Sequence, residues 1–421
     1  MKLQPAIIPC MKSYSKAQLG KDVVAGLIVA IIALPLSIAL AIASGVGPEI
    51  GLYTAIIAGF TVSLLGGSNV QIAGPTAAFA TIVAGIVATK GMAGLAVATV
   101  MAGIFLIIMG LLRVGNLIKF IPRTITIGFT AGIAVTILIG QIKDFFGLTF
   151  THSPIETMEK ITEIAHSFNT FNVWALVVGA LALAILIFVP RILPKIPASL
   201  IAVIVCAVVV KVFNLEVNTI GTLYPNITSA PPSFAVPEGL FTLDTVVAML
   251  PDAITIAVLA GVESLLSCVV ADGMIGAKHN SNMELVAQGI GNIGSAFFGG
   301  IPATGAIART AANIKNEGRT PISGMVHAIV LFAVLLVFMP YAKLIPMPAI
   351  AAILFVVAYN MSEWREFRDI IKEKHVTDII VLVVTFALTV IFDLVVAIAV
   401  GLVLAGIFAL IKKLNKKRCA E

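Results

Sequence analysis

Apolar residues run through this chain in stretches broken by short polar connectors, and the stretches are longer than the strands or core helices of a soluble domain require. In the first half the pattern predicts spans over 23–44, 50–65, 92–112, 124–142, 173–189 and 198–213. In the second half it predicts spans over 253–271, 285–298, 322–339, 346–359, 377–391 and 394–411. Pro35 interrupts the first span, where it removes a backbone donor and favours a kink. The polar segments 143–172 and 214–250 are expected as outer loops, and His152 and His166 in the first of them as solvated residues.

Two places depart from continuous helix. Between residues 66 and 76 the chain reads Gly-Gly-Ser-Asn-Val-Gln-Ile-Ala-Gly-Pro-Thr, an extended segment and turn, and 76–89 is then a helix too short to span alone. Pro75 suits the first turn of that helix, because its missing donor costs nothing there. In the second half, Gly299-Gly300-Ile301-Pro302-Ala303-Thr304-Gly305 holds too many helix breakers to be helical, and 306–314 follows as a short helix. Each broken element is the third of its half. Counting each as one crossing gives fourteen spans, two sets of seven, and an odd number inverts the second set relative to the first. The fold expected is therefore an all-α polytopic membrane protein with a 7+7 inverted repeat and two broken half-helix elements, a plan common among secondary transporters.

Composition narrows the class. Of 421 residues, 59% are apolar and only 11% charged, against roughly 25% charged in an average soluble domain. The net charge of +6 is carried in connectors and termini, so it signals topology and not nucleic-acid binding. Lys12, Lys16, Lys21, Arg113, Lys119, Arg123, Arg191, Lys195, Lys278, Lys315, Arg319, Arg365, Arg368, Lys372, Lys374 and the basic tail 412–421 fall on one side, which places both termini in the cytoplasm of a cell-membrane protein. Residues 1–21 are a polar lead-in with no secretory cleavage pattern. Cys10, Cys206, Cys268 and Cys419 lack the spacing of a disulfide framework or a zinc site, so no metal or cofactor is expected. Gly289-Ile290-Gly291-Asn292-Ile293-Gly294 satisfies GxGxxG without a surrounding strand, and close helix packing explains it better than a dinucleotide. No HExxH, GxSxG or Walker motif occurs, which disfavours an enzyme.

Candidate chemistry lies within 253–314. Glu263 is the one acid inside an apolar run, and ionisable residues at such depth mark coupling or substrate sites. Its bland reading is a structural acid paired with Arg309 or capping a helix. Its functional reading is a coupling group whose charge depends on a proton or cation, with Ser267, one turn on, placed to orient it. In an inverted pair the two short helices point their N-termini at one another, each offering unpaired donors and about half a positive charge, which traps anions. Gly74, Thr304 and Gly305 admit a close approach to backbone, and the Thr76 hydroxyl adds a donor. Arg309 adds a full positive charge unless it pairs with Glu263 or reaches the surface. Asp272 and Asp393 read as cap or interface residues.

Several segments together resemble the sulfate permease (SulP) family of anion transporters: Ile32-Ala33-Leu34-Pro35-Leu36-Ser37, Ala43-Ser44-Gly45, Gly51-Leu52-Tyr53, Gly74-Pro75-Thr76, Glu263-Ser264-Leu265-Leu266, Ala271-Asp272, Asn313-Ile314, Gly318-Arg319-Thr320-Pro321-Ile322-Ser323-Gly324 and Asn360-Met361-Ser362-Glu363-Trp364. The resemblance implies the uracil-permease-like fold, with a core (about 22–113 and 251–339), a gate (about 122–213 and 342–411) and commonly a homodimer. It also implies an anion site at Pro75, Thr76, Gly305, Ala306 and Ile307, with Leu36 and Leu40 as an apolar wall. Members move sulfate, bicarbonate, chloride or dicarboxylates by elevator-like displacement. They commonly carry a soluble STAS domain after the last span, and none is expected within the 421 residues here. Sodium-coupled bicarbonate members have Asp at the position of Glu263 and a hydroxyl residue at that of Ile307, so Glu with Ile favours proton over sodium coupling. The expected activity is proton-coupled symport of a small inorganic anion, sulfate first. A sodium- or proton-coupled bicarbonate or dicarboxylate transporter, a passive anion channel and a nucleobase symporter on the same fold are the competing readings.

Overall fold

The computed structural model describes residues 3–408, apart from 13, 116–121, 153, 194–195, 241, 374, 393–396, 398–399 and 402. A short helix α1 (Ile7–Met11) leads into α2 (Lys16–Ala43), where the Ser15 hydroxyl caps Gln18 N and Pro35 lies inside the helix. The next helix, α3 (Pro48–Leu65), starts on a proline whose ring suits the first helical turn and ends at Gly66. After a two-residue strand, β1 (Ala73–Gly74), comes α4 (Ala77–Leu111). Gly91 breaks α4 with φ 69° and ψ 178°, a conformation open to glycine, so 77–90 and 92–111 are the short helix and the full span read from the sequence. Then follow α5 (Arg123–Phe146), α6 (Thr157–Ser167), α7 (Val173–Ile192), α8 (Ala198–Val212) and a single turn α9 (Ile220–Leu223).

The second half holds α10 (Leu243–Ile275), α11 (Ser281–Phe297), β2 (Thr304–Gly305), α12 (Ile307–Lys315), α13 (Pro321–Ala342), α14 (Met347–Met361), α15 (Trp364–Lys372) and α16 (Val376–Ile391). Two expectations are corrected here. The loop expected over 214–250 ends near Thr242, because α10 accommodates Pro251 within its first turns and begins well before residue 253. The connector after α14 holds a helix, α15, with Phe367 and Ile370 packed against Ile127 and Leu382. Its polar face keeps Arg365 and Arg368 over the Trp364 ring, which makes α15 amphipathic. Half of the span expected at 394–411, with Lys119, Lys195, Lys374, Asp393 and the tail, lies outside the described residues.

Packing shows the inverted repeat. If α2, α3, 92–111, α5 and α7 correspond to α10, α11, α13, α14 and α16, contacts should come in matched pairs. They do: α3 packs on α13 as α11 packs on α4, α2 on α13 as α10 on α4, and α5 on α16 as α14 on α7. The glycines of the GxGxxG run serve this packing. A methyl on Gly289 would stand 2.4 Å from the Gly103 carbonyl, and one on Gly103 would stand 2.6 Å from that of Gly289. Eight of the described helices are long and apolar enough to cross a membrane, with α8 and α16 as shorter apolar helices.

Two buried carboxylates fasten the broken region to its frame. Asp22 accepts hydrogen bonds from Thr320 Oγ1, Arg319 N and Tyr14 Oη, tying α2 to the start of α13. Glu284, fully buried, accepts from Gly67 N at 2.9 Å, Ser68 N at 3.2 Å and Gln288 Nε2 at 3.2 Å. Glu284→Ala leaves two buried amides unpaired. We expect it to cost roughly 1–3 kcal/mol per orphaned group and to lower the thermal midpoint in detergent by a few degrees, read by tryptophan fluorescence. On the opposite face, the expected polar loop is organised around Glu163. Its carboxylate accepts from the Thr151 hydroxyl and amide, His152 N and the Ser167 hydroxyl, which hold it down at about 2. His152 and His166 are exposed there, as expected.

Candidate functional site

The two broken elements meet in the centre of the bundle. β1 and β2 pair antiparallel, Ala73 opposite Gly305 and Gly74 opposite Thr304, and Ala306 N donates to Ile72 O at 2.8 Å. Equivalent strands running antiparallel are what an inversion between the halves requires. The pairing tolerates no side chain at two positions. A methyl on Gly74 would stand 2.4 Å from Arg309 Nη1, and one on Gly305 only 1.8 Å from Gln71 Nε2. Helix α4 therefore begins at Thr76 and α12 at Ala306, both in extended backbone, and neither N-cap makes a side-chain hydrogen bond to its first turn. Amides at both helix starts are thus left for a ligand, and both dipoles direct positive charge at the same place.

Away from those amides, side chains satisfy the non-helical backbone, as burial in a bilayer demands. Asn292 exchanges two hydrogen bonds of 2.9 Å with Ala303. Thr54 accepts from Ile301 N at 2.8 Å, Thr310 from Ile72 N at 3.1 Å, and Asn313 donates to Val70 O at 2.9 Å. Gln71 donates to Ser264 O and accepts from Ser267 Oγ at 2.8 Å, while Ser264 Oγ accepts from Gly305 N and lies 2.8 Å from Thr304 Oγ1. Sequence reading missed Gln71, Ser264, Asn292, Thr310 and Asn313 as site supports. For Ser264 and Asn292 the signal was present as an isolated hydroxyl and amide on apolar spans, whereas Gln71, Thr310 and Asn313 lie within the broken elements themselves.

The sequence-derived site residues divide into three groups. Thr76 and Glu263 come together: Thr76 Oγ1 donates to Glu263 Oε2 at 3.0 Å, from the N-cap of α4 in one half to the acid of the other. Arg309 is fully buried, donating from Nη2 to Ser37 Oγ and Pro75 O at 3.2 Å each. It thus pairs with Ser37 and Pro75 and, among the described residues, forms no ion pair with Glu263 and does not reach the surface. Ser267 is the correction: its hydroxyl goes to Gln71 and, at 3.4 Å, to Thr310, so it braces the strand and does not orient Glu263. Gly305 and Ala306 are buried at the crossing, Ile307 is 39% exposed beside them, Leu36 is half-buried and Leu40 is in the apolar core. Asp272 caps its loop, accepting from His279 N and lying 2.7 Å from His279 Nδ1.

A cavity of about 260 Å³ reaches the first turn of α4 at Ala78 and is lined by Thr81, Thr89, Thr136, Asp252 and Thr255, between α4 and α10 on one side and α5 and α16 on the other. A larger cavity of about 500 Å³ between α2, α8 and α13 is almost wholly apolar and does not touch the crossing.

The sequence profile of the sulfate permease family matches residues 19–385. The chain is 47% identical over 398 residues, 94% of its length and 74% of the other's, to the putative sulfate transporter YvdB of Bacillus subtilis (strain 168). It is 34% identical over 409 residues, 94% of this chain and 70% of the other, to the bicarbonate transporter BicA of Picosynechococcus sp.. Among solved structures, the transmembrane domain of a cyanobacterium bicarbonate transporter BicA superposes with a TM-score of 0.81 at 31% identity, covering 91% of this chain and 98% of that one. The murine Slc26a9 anion transporter in the inward-facing state superposes with 0.86 at 19% identity over 97% of this chain and 71% of the other, a likeness of fold.

Proposed function

The chain belongs to the sulfate permease family, and from that membership and the convergent helix starts we propose that it carries small inorganic oxyanions, sulfate foremost, by proton-coupled symport. One observation carries the reading. The free amides of α4 and α12, both aimed at the β1/β2 crossing, form a positive cradle, and the protonatable Glu263 is hydrogen-bonded to the residue that opens one of those helices. Helix-end donors fit any compact oxyanion, and Arg309 behind Gly74 raises the local positive charge.

The anion sits between Thr76 and Ala306 with Ile307, Leu36 and Leu40 on its apolar side. Protonation of Glu263 removes the one negative charge facing it, so proton and anion bind together. The bundle of α2, α3, α4 and α10–α13 moves as a core against a gate of α5, α7, α8, α14 and α16 in an elevator-type exchange of access, in a homodimer in the cell membrane with both termini cytoplasmic. The 34% identity to the bicarbonate transporter BicA makes bicarbonate the second substrate to test. The experiment is isotope uptake into proteoliposomes with sulfate, bicarbonate and a dicarboxylate, at two pH values, with and without sodium. Saturable sulfate uptake driven by an inward proton gradient and indifferent to sodium is expected. Sodium dependence, conductance far above carrier turnover, or competition by uracil would overturn the proposal.

A further inference from the structure

His327 lies in the second turn of α13, fully buried, and neither ring nitrogen has a hydrogen-bond partner among the described residues. A purely space-filling residue has no use for these atoms, since each desolvated donor or acceptor left unpaired costs about 1–3 kcal/mol. The ring's position suggests a use. It faces Gly59 of α3, where an added methyl would lie 3.8 Å from His327 Nδ1 and 3.1 Å from the Ala73 carbonyl, so the imidazole stands directly behind β1. Arg309 lies against the next residue of that strand, Gly74, and its Nε and Nη1 also lack partners. Ser63 Oγ, one turn along α3 from Gly59, is likewise unpartnered and faces Gly324, one turn before His327. A slot of unpaired polar atoms therefore runs behind the strand whose front holds the helix starts.

We infer that His327 is a second proton-binding group of the carrier, one that takes up its proton when the oxyanion binds in front of β1. This rests on the oxyanion reading above and adds a proton to it. With no anion bound, the buried charge of Arg309 opposes a second cation across the strand. A bound dianion matches the arginine and leaves one negative charge over, and a proton from solvent then adds to a ring nitrogen, making imidazolium. The proton leaves when the anion does. The other charged groups on elements around α13 are remote. Asp22 caps Thr320, two turns away, and Lys16 and Lys21 precede it on α2; Glu49 is in the first turn of α3, about 15 Å from Gly59 at 1.5 Å per residue; Lys315 ends α12 and Lys211 is near the end of α8. Glu263 faces Thr76 on the front of the strand pair.

The test is calorimetric sulfate binding to the purified full chain in two buffers of different ionisation heat, which counts protons taken up per anion. Wild type should take up more protons than His327→Gln, by a difference approaching one, with both still binding sulfate; an equal count overturns the proposal. Because His327→Gln could misfold, wild type labelled with 15N-histidine supplies an independent readout: addition of sulfate should convert one of five histidine signals from imidazole to imidazolium, and no conversion overturns the proposal. Absence of any sulfate binding by wild type would remove the oxyanion reading itself, whereas binding with an unchanged histidine spectrum removes only the role of His327.

Discussion

Glu263→Gln should give a carrier that still exchanges anion but accumulates it far less against a gradient, with a much weakened dependence of uptake on pH. The amide keeps an acceptor for Thr76 Oγ1 and nearly the same volume, so the contact between the halves survives while the ability to bind and release a proton is lost. The size of the effect follows from electrostatics. Two unit charges 4 Å apart interact by about 4 kcal/mol at an effective dielectric constant near 20, so a carboxylate beside a bound anion weakens binding severely unless protonated. In wild type, uptake should therefore rise as pH falls. In the variant the profile should lose most of that rise, keeping only what His327 contributes, and proton-driven accumulation should drop at least about tenfold, equivalent to roughly 1.4 kcal/mol. Radiolabelled uptake across a pH series, with counterflow as the control for folding, measures both. A variant that keeps the wild-type profile would exclude Glu263 as the coupling group.

Gly305→Ala should abolish transport while leaving a folded protein. The new methyl would lie 1.8 Å from Gln71 Nε2, and Gln71 holds both Ser264 O and Ser267 Oγ, so either the side chain or the strand pair must move. A shift of about 1 Å in a preorganised site can cost a hundredfold in rate, and overpacking costs about 1–3 kcal/mol in stability. Gly273→Ala is the matched control, since nothing lies within 4 Å of a methyl there. Initial rates of uptake together with size-exclusion profiles separate the two effects. Near-normal transport by Gly305→Ala would mean that the crossing is not the site.

The spans and the broken elements were legible because both depend on one-dimensional signals: the length of apolar runs, and the clustering of Gly and Pro at 74–75 and 299–305. The inversion followed from counting. What escaped was set by partners distant in sequence. The start of α10 was hidden because Pro251 lies inside the helix, where a proline removes a backbone hydrogen bond and so reads as a boundary, and only the observed register shows the helix running through it. The surface helix α15 was hidden because its apolar residues, Phe367 and Ile370, are interleaved with charges and read as a connector. Glu263 announced itself, but that Thr76 would be its partner, and that Ser267 would instead serve Gln71, depends on which face of α10 meets the crossing. His327 gave no sequence signal, since one histidine in a span is unremarkable until its neighbours are known.

The pairing of β1 with β2 joins residues 73–74 to residues 304–305 and has a consequence for biosynthesis. When the first seven elements leave the ribosome, the segment around Gly74 has no strand to pair with, and unpaired peptide groups cannot rest in lipid without a heavy cost. The nascent chain must therefore hold that segment at the translocon or at a watery interface until the second half is made. Assembly of the site therefore waits for the second half of the chain, and insertion chaperones should cross-link to the 66–76 region of chains stalled before residue 300 and release it from chains stalled well after.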